Sequence, residues 1–248
     1  MKRAVQRNQT PEDYVNLLSS PEQGEFPVLV GGQAVNLWAL LFLDEEPSLG
    51  QFYPFTSLDC DVVATATWLQ RVAEKHGFPY KLFRAGQASP AVGSIYLPVG
   101  GKYEIELQVL REIAGLTKDA IADAAFKIEF KGKPLRVLNP TALLKAKITN
   151  LHILPQKDRH DFQHVQILIR CIHAALKRQI ALLDEGAITA RKCVNAFEAV
   201  ARVITSSEAK SVAEKFGIDF KQAFPLGKLN GRKESQFGNF IQKRLPSI

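Results

Sequence analysis

Cysteine is scarce in this chain, which argues against both a disulfide framework and a structural zinc site. The 248 residues include three cysteines, Cys60, Cys171 and Cys193. None of them belongs to a C-x-x-C motif or to a Cys/His spacing typical of structural zinc, and three cysteines cannot all pair with one another. We therefore expect free, buried thiols, which fits a reducing compartment.

Long hydrophobic runs are also missing. The longest, residues 34–43, is interrupted by Asn36 and is followed by three acidic residues. It is well short of the roughly 20 residues that a membrane span requires. The charged residues 1–14 are not followed by the apolar segment of a secretory signal. The sequence thus predicts no membrane partner and a cytoplasmic location.

The charge is distributed unevenly along the chain. Residues 1–124 contain 10 Lys and Arg against 15 Asp and Glu, whereas residues 125–248 contain 22 against 10. The net charges of the two halves are therefore −5 and +12. An acidic half can hold cations, and a basic half can attract nucleic acid or a nucleoside triphosphate. Lysine-rich helices that are merely solvated would give the same composition.

Hydrophobic periodicity changes near residue 138 and predicts two domains in an α+β protein. We predict a mixed β-sheet domain over residues 1–138 and a helical domain with a basic C-terminal tail over residues 139–248. The predicted strands are residues 26–30, 58–64, 94–98, 103–110, 126–130 and 134–138. The predicted helices are residues 11–19, 34–41, 67–76, 141–151, 158–182, 188–205 and 207–216.

The pair Asp59 and Asp61 is the first candidate for a functional site. In a strand, residues i and i+2 point to the same face, so both carboxylates project together while Cys60 points to the other side. Neighbouring carboxylates repel each other unless a cation lies between them. Mg²⁺ is usually held by one or two carboxylates together with substrate phosphates. A solvated pair without any ligand is the alternative.

Two further elements extend this candidate site. Gly31 and Gly32 lie between a predicted strand and a predicted helix, where backbone N–H groups can bind a phosphate. A glycine turn that only joins strand to helix is the alternative.

In residues 103–110, apolar side chains alternate with Glu104, Glu106 and Gln108. If this strand neighbours the aspartates, a three-carboxylate cluster results, which would suit two-metal nucleotidyl transfer; a solvated sheet face is the alternative.

The arrangement resembles the nucleotidyltransferase superfamily, whose signature is hG[GS] followed by Dh[DE]h. The matching segments here are Val30-Gly31-Gly32 and Leu58-Asp59-Cys60-Asp61-Val62, with a longer gap between them than is usual. The resemblance implies Mg²⁺ or Mn²⁺ bound by Asp59, Asp61 and Glu106. It also implies a nucleoside triphosphate whose phosphates contact Gly31 and Gly32. Glu106 is preferred to Glu104 because apolar strand residues and a Gly-Leu turn follow it, as in the family.

A downstream block resembles the AbiE-type nucleotidyltransferase toxins of type IV toxin–antitoxin pairs. It consists of Val137-Leu138-Asn139-Pro140, a helix with Lys145 and Lys147, and a K-D-x-x-D segment from Lys157 to Asp161. The resemblance implies that Lys147, or Lys145, and Lys157 contact phosphate and that Asp161 orients a lysine or acts as a base. It further implies an antitoxin partner, and the basic half suggests RNA, for example a tRNA end, as acceptor; a protein hydroxyl is the other acceptor considered.

Two other classes of function fit the same residues. A non-catalytic binding protein could keep the fold, with its acids serving structure or partner contact. A nucleic-acid-binding module driven by the basic half would bind RNA with a steep salt dependence that ignores the aspartates. His160 and His164 are one helical turn apart, but further zinc ligands are missing from the pattern, so we expect ordinary surface or core histidines.

Overall fold

The computed structural model describes residues 8–19, 24–84, 89–99, 103–157, 159–229, 232 and 235–245. This part of the chain combines one seven-stranded sheet with α-helices. The strands are β1 (Val28–Val30), β2 (Asp59–Val63), β3 (Tyr80–Leu82), β4 (Ala91–Val99), β5 (Tyr103–Leu110), β6 (Ala125–Phe130) and β7 (Lys133–Leu138). The α-helices are α1 (Val15–Leu18), α2 (Gly31–Phe42), α3 (Ala66–His76), α4 (Lys118–Ala124), α5 (Pro140–Ile153), α6 (Asp161–Asp184), α7 (Ala190–Ile204), α8 (Ser207–Phe216), α9 (Leu226–Leu229) and α10 (Ser235–Asn239). Shorter 3-10 helices are Pro11–Tyr14, Pro47–Phe52 and Phe220–Ala223, and Phe240–Arg244 is a π-helical turn.

The chain divides into two compact units. The first consists of Met1–Leu37 with Pro54–Leu143, and the second consists of Trp38–Tyr53 with Leu144–Ile248. The whole sheet lies in the first unit, and helices α6 to α8 lie in the second. Most of the segment between the two signature motifs, Trp38–Tyr53, belongs to the second unit together with these helices.

The sheet of the first unit is mixed, with the strand order β3-β4-β5-β2-β1-β7-β6. Strand β2 is a central strand that pairs antiparallel with β1 and parallel with β5. Strand β1 also pairs with β7 in parallel, while the β3–β4, β4–β5 and β6–β7 pairs are antiparallel. The register therefore places Val30 of β1, Asp61 of β2 and Gln108 of β5 side by side, although they are distant in sequence.

One face of this sheet is packed and the other is partly open. Cys60 and Val62 of β2 are fully buried, as are Leu107 and Val109 of β5. Helix α3 covers this face, since a Cβ at Gly93 of β4 would lie 2.9 Å from Leu69 Cδ1. Thr65 caps α3 by accepting a hydrogen bond from the backbone N–H of Trp68, and Gly77 ends the helix in a left-handed conformation. The residues that alternate with the packed ones form the opposite face.

The structure confirms the α+β class and most of the predicted elements. The first helix is a 3-10 turn capped by Thr10 and Asp13 that continues into α1. Sequence reasoning missed β3 and α4. Strand β3 is three residues long with every residue exposed, so it shows no apolar alternation. Helix α4 buries a single side chain, Ile121, although its cap Thr117 and first-turn Asp119 are ordinary helix-start signals.

The second unit has a core built from helices and aromatic rings. Phe197 of α7 contacts Phe224, Phe237 and Phe240 with ring centroids 5.6 to 6.0 Å apart. The last two rings belong to the predicted basic tail, so the described part of that tail is docked on α7. In the described ranges, no helix has both the length and the hydrophobicity needed to cross a membrane.

Candidate active site

Strand β2 presents its two aspartates on the open face of the sheet. Asp59 is exposed and Asp61 is half-buried, whereas Cys60 between them is fully buried. Burial raises the pKa of the Cys60 thiol well above its usual range, and the charges of Asp61 and Asp59 raise it further. Cys60 is therefore a protonated packing residue beneath the aspartates, as expected for a buried free thiol.

Strand β5 places a third carboxylate beside this pair. In the parallel β2–β5 register, Asp59 is opposite Glu106 and Asp61 is opposite Gln108. Paired residues of neighbouring strands share a face, so Asp59, Asp61 and Glu106 project on the same side of the sheet. We call this side, between β2 and β5, the carboxylate face. The side chain of Glu104 lies outside the described residues.

Two of the three carboxylates accept a hydrogen bond from a nearby serine. Asp59 Oδ1 accepts a hydrogen bond of 3.1 Å from Ser57 Oγ. Glu106 Oε1 accepts one of 2.6 Å from Ser94 Oγ of β4. Among the described residues, no three Asp, Glu, His or Cys side chains are gathered tightly enough to hold a metal ion by themselves. The structure thus brings the three acidic residues to one face of the sheet, but their side chains alone do not form a complete set of metal ligands.

Gly31 supplies the corner between β1 and α2, and it directly contacts Asp61. Val30, the last residue of β1, is opposite Asp61 in the antiparallel register. Gly31 has a φ of +65°, in the left-handed region that favours glycine. A Cβ at this position would overlap Asp61 Oδ2 and would lie 2.9 Å from Asp61 Cβ. The glycine therefore lets the start of α2 lie against the Asp61 side chain, and Gly32 follows it as a buried residue of the same helix.

Replacing Gly31 with alanine is expected to disturb the Asp61 carboxylate more than it disturbs the fold. Gly77 is the matched control, because its φ is +66° and nothing lies within 4 Å of a Cβ built on it. Both variants should lose about 1 kcal/mol of stability from left-handed strain. Only Gly31→Ala should also displace Asp61, lowering the proposed transfer activity at least tenfold. Thermal unfolding and activity assays of both variants measure the difference, and equal activity in the two would contradict the assigned contact.

Tyr14 supports the carboxylate face from inside the unit, and sequence reasoning missed it. Its side chain is fully buried, and its hydroxyl donates a hydrogen bond of 3.4 Å to the backbone carbonyl of Glu106. Burial raises the pKa of Tyr14 above its usual range, and the negative charges of Asp13 and the two β2 aspartates raise it further. The phenol therefore stays protonated and remains a hydrogen-bond donor to β5.

The second unit contains a separate group of charged residues around Asp161. Asp161 is the first residue of α6 and is 2% exposed. Its Oδ1 accepts a hydrogen bond of 2.8 Å from Lys147 Nζ of α5, and its Oδ2 accepts one of 2.6 Å from Arg159 Nε. We call these three residues the Asp161 cluster. Burial raises the pKa of Asp161, but Lys147 and Arg159 outweigh burial, so the pKa is lower than usual.

The Asp161 cluster bears on the roles that the toxin resemblance implied. Asp161 accepts hydrogen bonds from Lys147 and Arg159, and its role in orienting a lysine or acting as a base stays a prediction. Lys147 is 8% exposed and is the lysine that Asp161 contacts, whereas Lys145 and Lys157 are exposed. Asp158 lies outside the described residues. Phosphate binding by Lys147, Lys145 or Lys157 stays a prediction.

His164 adjoins the Asp161 cluster and is neutral at physiological pH. It is 8% exposed, and its Nδ1 has no hydrogen-bond partner within the described residues. Burial, and then the charge of Lys147, lower the pKa of His164 to about 3. The exposed His160 is its ring neighbour, with centroids 6.4 Å apart.

We expect the His164 ring signals in NMR spectra to stay constant between pH 8 and pH 5. Because the unfolded chain binds this proton more readily, the free energy of unfolding falls as the pH decreases below about 6.5. Replacing His164 with leucine should remove this part of the pH dependence. A titration of His164 with a midpoint near pH 6.5 would show that the ring is not buried as described.

Comparison with solved structures finds several similar chains, two of which are an antigenic fungal protein and a viral enzyme. No protein-family profile matches the chain, and no curated protein matches its sequence. An antigenic nucleotidyltransferase-like protein from Paracoccidioides brasiliensis is 13% identical with a TM-score of 0.44, covering 84% of this chain and 95% of that chain. The Megavirus polyadenylate synthase is 13% identical with a TM-score of 0.41, covering 70% of this chain and 36% of that chain. At 13% identity and TM-scores below 0.5, these two proteins do not indicate the function of this chain.

Proposed function

We propose that the protein is a nucleotidyltransferase that moves a nucleoside monophosphate from a nucleoside triphosphate to an acceptor hydroxyl with the help of Mg²⁺ or Mn²⁺. The observation that supports this proposal is the register of β2 and β5, which pairs Asp59 with Glu106 on one face. Asp61 on the same face lies against the left-handed Gly31 at the start of α2. Carboxylates beside a glycine-started helix N-terminus are a suitable site for a cation and a triphosphate together.

The donor atoms of the carboxylate face fit a hard divalent cation. In this proposal Asp59 and Asp61 would hold the cation, and Glu106 would contribute Oε2, the carboxylate oxygen that does not accept the hydrogen bond from Ser94. An incomplete protein ligand set suits Mg²⁺, which is usually bound by one or two carboxylates together with substrate phosphates. A bound cation would supply the positive charge that stabilises the triphosphate as the α-phosphorus is attacked.

The remaining residues of the face then have defined roles in the proposal. Backbone N–H groups of Gly31 and Gly32, at the positive end of the α2 dipole, bind oxygens of the β- and γ-phosphates. The acceptor oxygen bonds to the α-phosphorus, and the bond from that phosphorus to the pyrophosphate oxygen breaks. Glu106 accepts the proton that the acceptor hydroxyl loses, and pyrophosphate leaves with the electron pair.

The acceptor and the biological role belong to the same proposal. The net charge of +12 in residues 125–248 favours a polyanionic acceptor, so RNA, for example a tRNA end, is proposed before a protein hydroxyl. The resemblance of residues 137–161 to AbiE-type toxins supports a toxin activity that an antitoxin restrains. Expression of the wild-type chain alone in bacteria should then slow their growth, and expression of the Asp59→Asn and Asp61→Asn double variant should not.

A direct test incubates the purified full chain with each α-³²P-labelled nucleoside triphosphate in turn, with and without Mn²⁺ or Mg²⁺, and with and without total RNA. We expect cation-dependent labelling of RNA with a preference for one base, or labelling of protein if the acceptor is a protein hydroxyl. No labelling under any of these conditions would contradict the proposed activity. Salt-sensitive RNA binding without labelling would instead identify a nucleic-acid-binding module.

A further inference from the structure

Ser94 of β4 is a polar residue in a position where a strand would ordinarily place an apolar one. It is 0% exposed and lies within a strand flanked by the central β5. A buried hydroxyl costs free energy unless it forms a hydrogen bond. Its Oγ donates a hydrogen bond of 2.6 Å to Glu106 Oε1, and this short, charge-assisted contact offsets that cost.

The register explains how Ser94 reaches Glu106. In the antiparallel β4–β5 pair, Ser94 is opposite Gln108 and therefore lies diagonally across from Glu106 on the same face. On the other side of β5, Asp59 of β2 is opposite Glu106. Glu106 thus lies between a buried serine hydroxyl and an exposed aspartate, on three consecutive strands of the sheet.

Both the backbone and the side chain of Glu106 are held in place. Its carbonyl oxygen accepts the hydrogen bond from Tyr14, and its Oε1 accepts the one from Ser94. Within the described residues, Oε2 has no further hydrogen bond. One carboxylate oxygen is therefore used for orientation, and the other is available to a ligand on the carboxylate face.

We propose that Ser94 is a positioning residue, which holds Oε1 of the Glu106 carboxylate and thereby sets the affinity of the carboxylate face for a divalent cation. This inference rests on the proposed function, since it assigns Glu106 to the cation site. Hydrogen-bonding partners of ligating carboxylates typically contribute about 10- to 100-fold to metal affinity. Ser94 is the only side chain in the described residues that hydrogen-bonds the Glu106 carboxylate.

The test measures Mn²⁺ binding by the full chain, without nucleotide, by electron paramagnetic resonance. The decisive pair is Ser94→Thr and Ser94→Val, because these side chains have the same shape and differ only in the hydroxyl. We expect Ser94→Val to bind Mn²⁺ about tenfold more weakly than Ser94→Thr, and Ser94→Ala to resemble Ser94→Val. In a Glu106→Gln background, removing the Ser94 hydroxyl should have no further effect, because Ser94 acts through Glu106.

The possible failures point to different parts of the proposal. Equal Mn²⁺ affinity of Ser94→Thr and Ser94→Val would overturn the role of Ser94 while leaving the proposed function in place. If removing the Ser94 hydroxyl lowered the Mn²⁺ affinity equally in the Glu106→Gln background, the role of Ser94 would also be overturned, because Ser94 would then act by another route. Absence of Mn²⁺ binding and of nucleotidyl transfer in the wild-type chain would contradict the proposed function itself. Far-ultraviolet circular dichroism of each variant separates lost binding from lost folding.

Discussion

Replacing both Asp59 and Asp61 with asparagine is expected to lower nucleotidyl transfer by about a thousandfold or more without unfolding the protein. Asparagine keeps the shape of aspartate, so the contact between residue 61 and Gly31 can persist. The charge that holds the cation is removed, and electrostatic stabilisation by a metal contributes several kcal/mol to such reactions. A loss of about 4 kcal/mol of transition-state stabilisation corresponds to roughly a thousandfold in rate.

The matched control for this prediction is Glu129→Gln on β6. The registers of β6, β7 and β1 place Glu129 on the same face of the sheet as Asp61, and it is exposed. It lies three strands from β2, so its charge should not affect transfer more than about twofold. Initial rates with one labelled nucleoside triphosphate compare the variants. An active double variant would support the alternative in which the aspartates only serve structure.

Replacing Asp161 with asparagine is expected to destabilise the second unit by about 3 kcal/mol. Lys147 is buried, and the variant would leave its ammonium without a compensating carboxylate. Breaking a buried ion pair by removing one partner typically costs about 3–5 kcal/mol. Replacing Lys147 with methionine and Asp161 with leucine together should recover part of this loss, because no unpaired charge is left in the interior. Hydrogen exchange of the α6 amides in the full chain measures the opening free energy.

The control for the Asp161 prediction is an exposed ion pair of the same unit. Arg178 and Glu45 are 3.9 Å apart and both are exposed, so Glu45→Gln should cost less than about 1 kcal/mol. If Asp161→Asn costs no more than Glu45→Gln, the Asp161 cluster is not the buried network described here.

The effect of Asp161 should also depend on pH in a defined direction. The folded-state pKa of Asp161 is lower than usual, so its contribution to stability is fully present above the ordinary aspartate pKa of about 3.9. It is lost as the pH falls through the folded-state pKa. The difference between wild type and Asp161→Asn should therefore be constant near neutral pH and should narrow below about pH 4.

Local patterns were sufficient to predict the elements that carry the carboxylate face. The β-branched run before Gly31 predicted a strand and a helix start, which are β1 and α2. The alternation around Asp59 and Glu106 predicted which side chains point away from the core, and burial of Cys60 and Leu107 confirms it. These predictions succeeded because periodicity of burial is a property of a single element.

Features that depend on pairing between distant segments were not predictable in the same way. The parallel register pairs Asp59 with Glu106, 47 residues further along the chain, and the sequence predicts this cluster only on the condition that the two strands are neighbours. Tyr14 and Ser94 do not belong to a recognisable sequence motif, because their roles depend on hydrogen bonds to the backbone carbonyl and the carboxylate of Glu106 in β5. The grouping of Trp38–Tyr53 with the second unit likewise arises from tertiary packing.

The most direct test of the proposed chemistry compares two labels of the same nucleoside triphosphate. In nucleotidyl transfer, a label on the α-phosphate moves to the acceptor, and a label on the γ-phosphate leaves as pyrophosphate. We predict this pattern for the wild-type chain with Mg²⁺ or Mn²⁺, and its loss in the Asp59→Asn and Asp61→Asn double variant. A γ-label that appears on the acceptor, or an α-label that never does, would contradict nucleotidyl transfer on the carboxylate face.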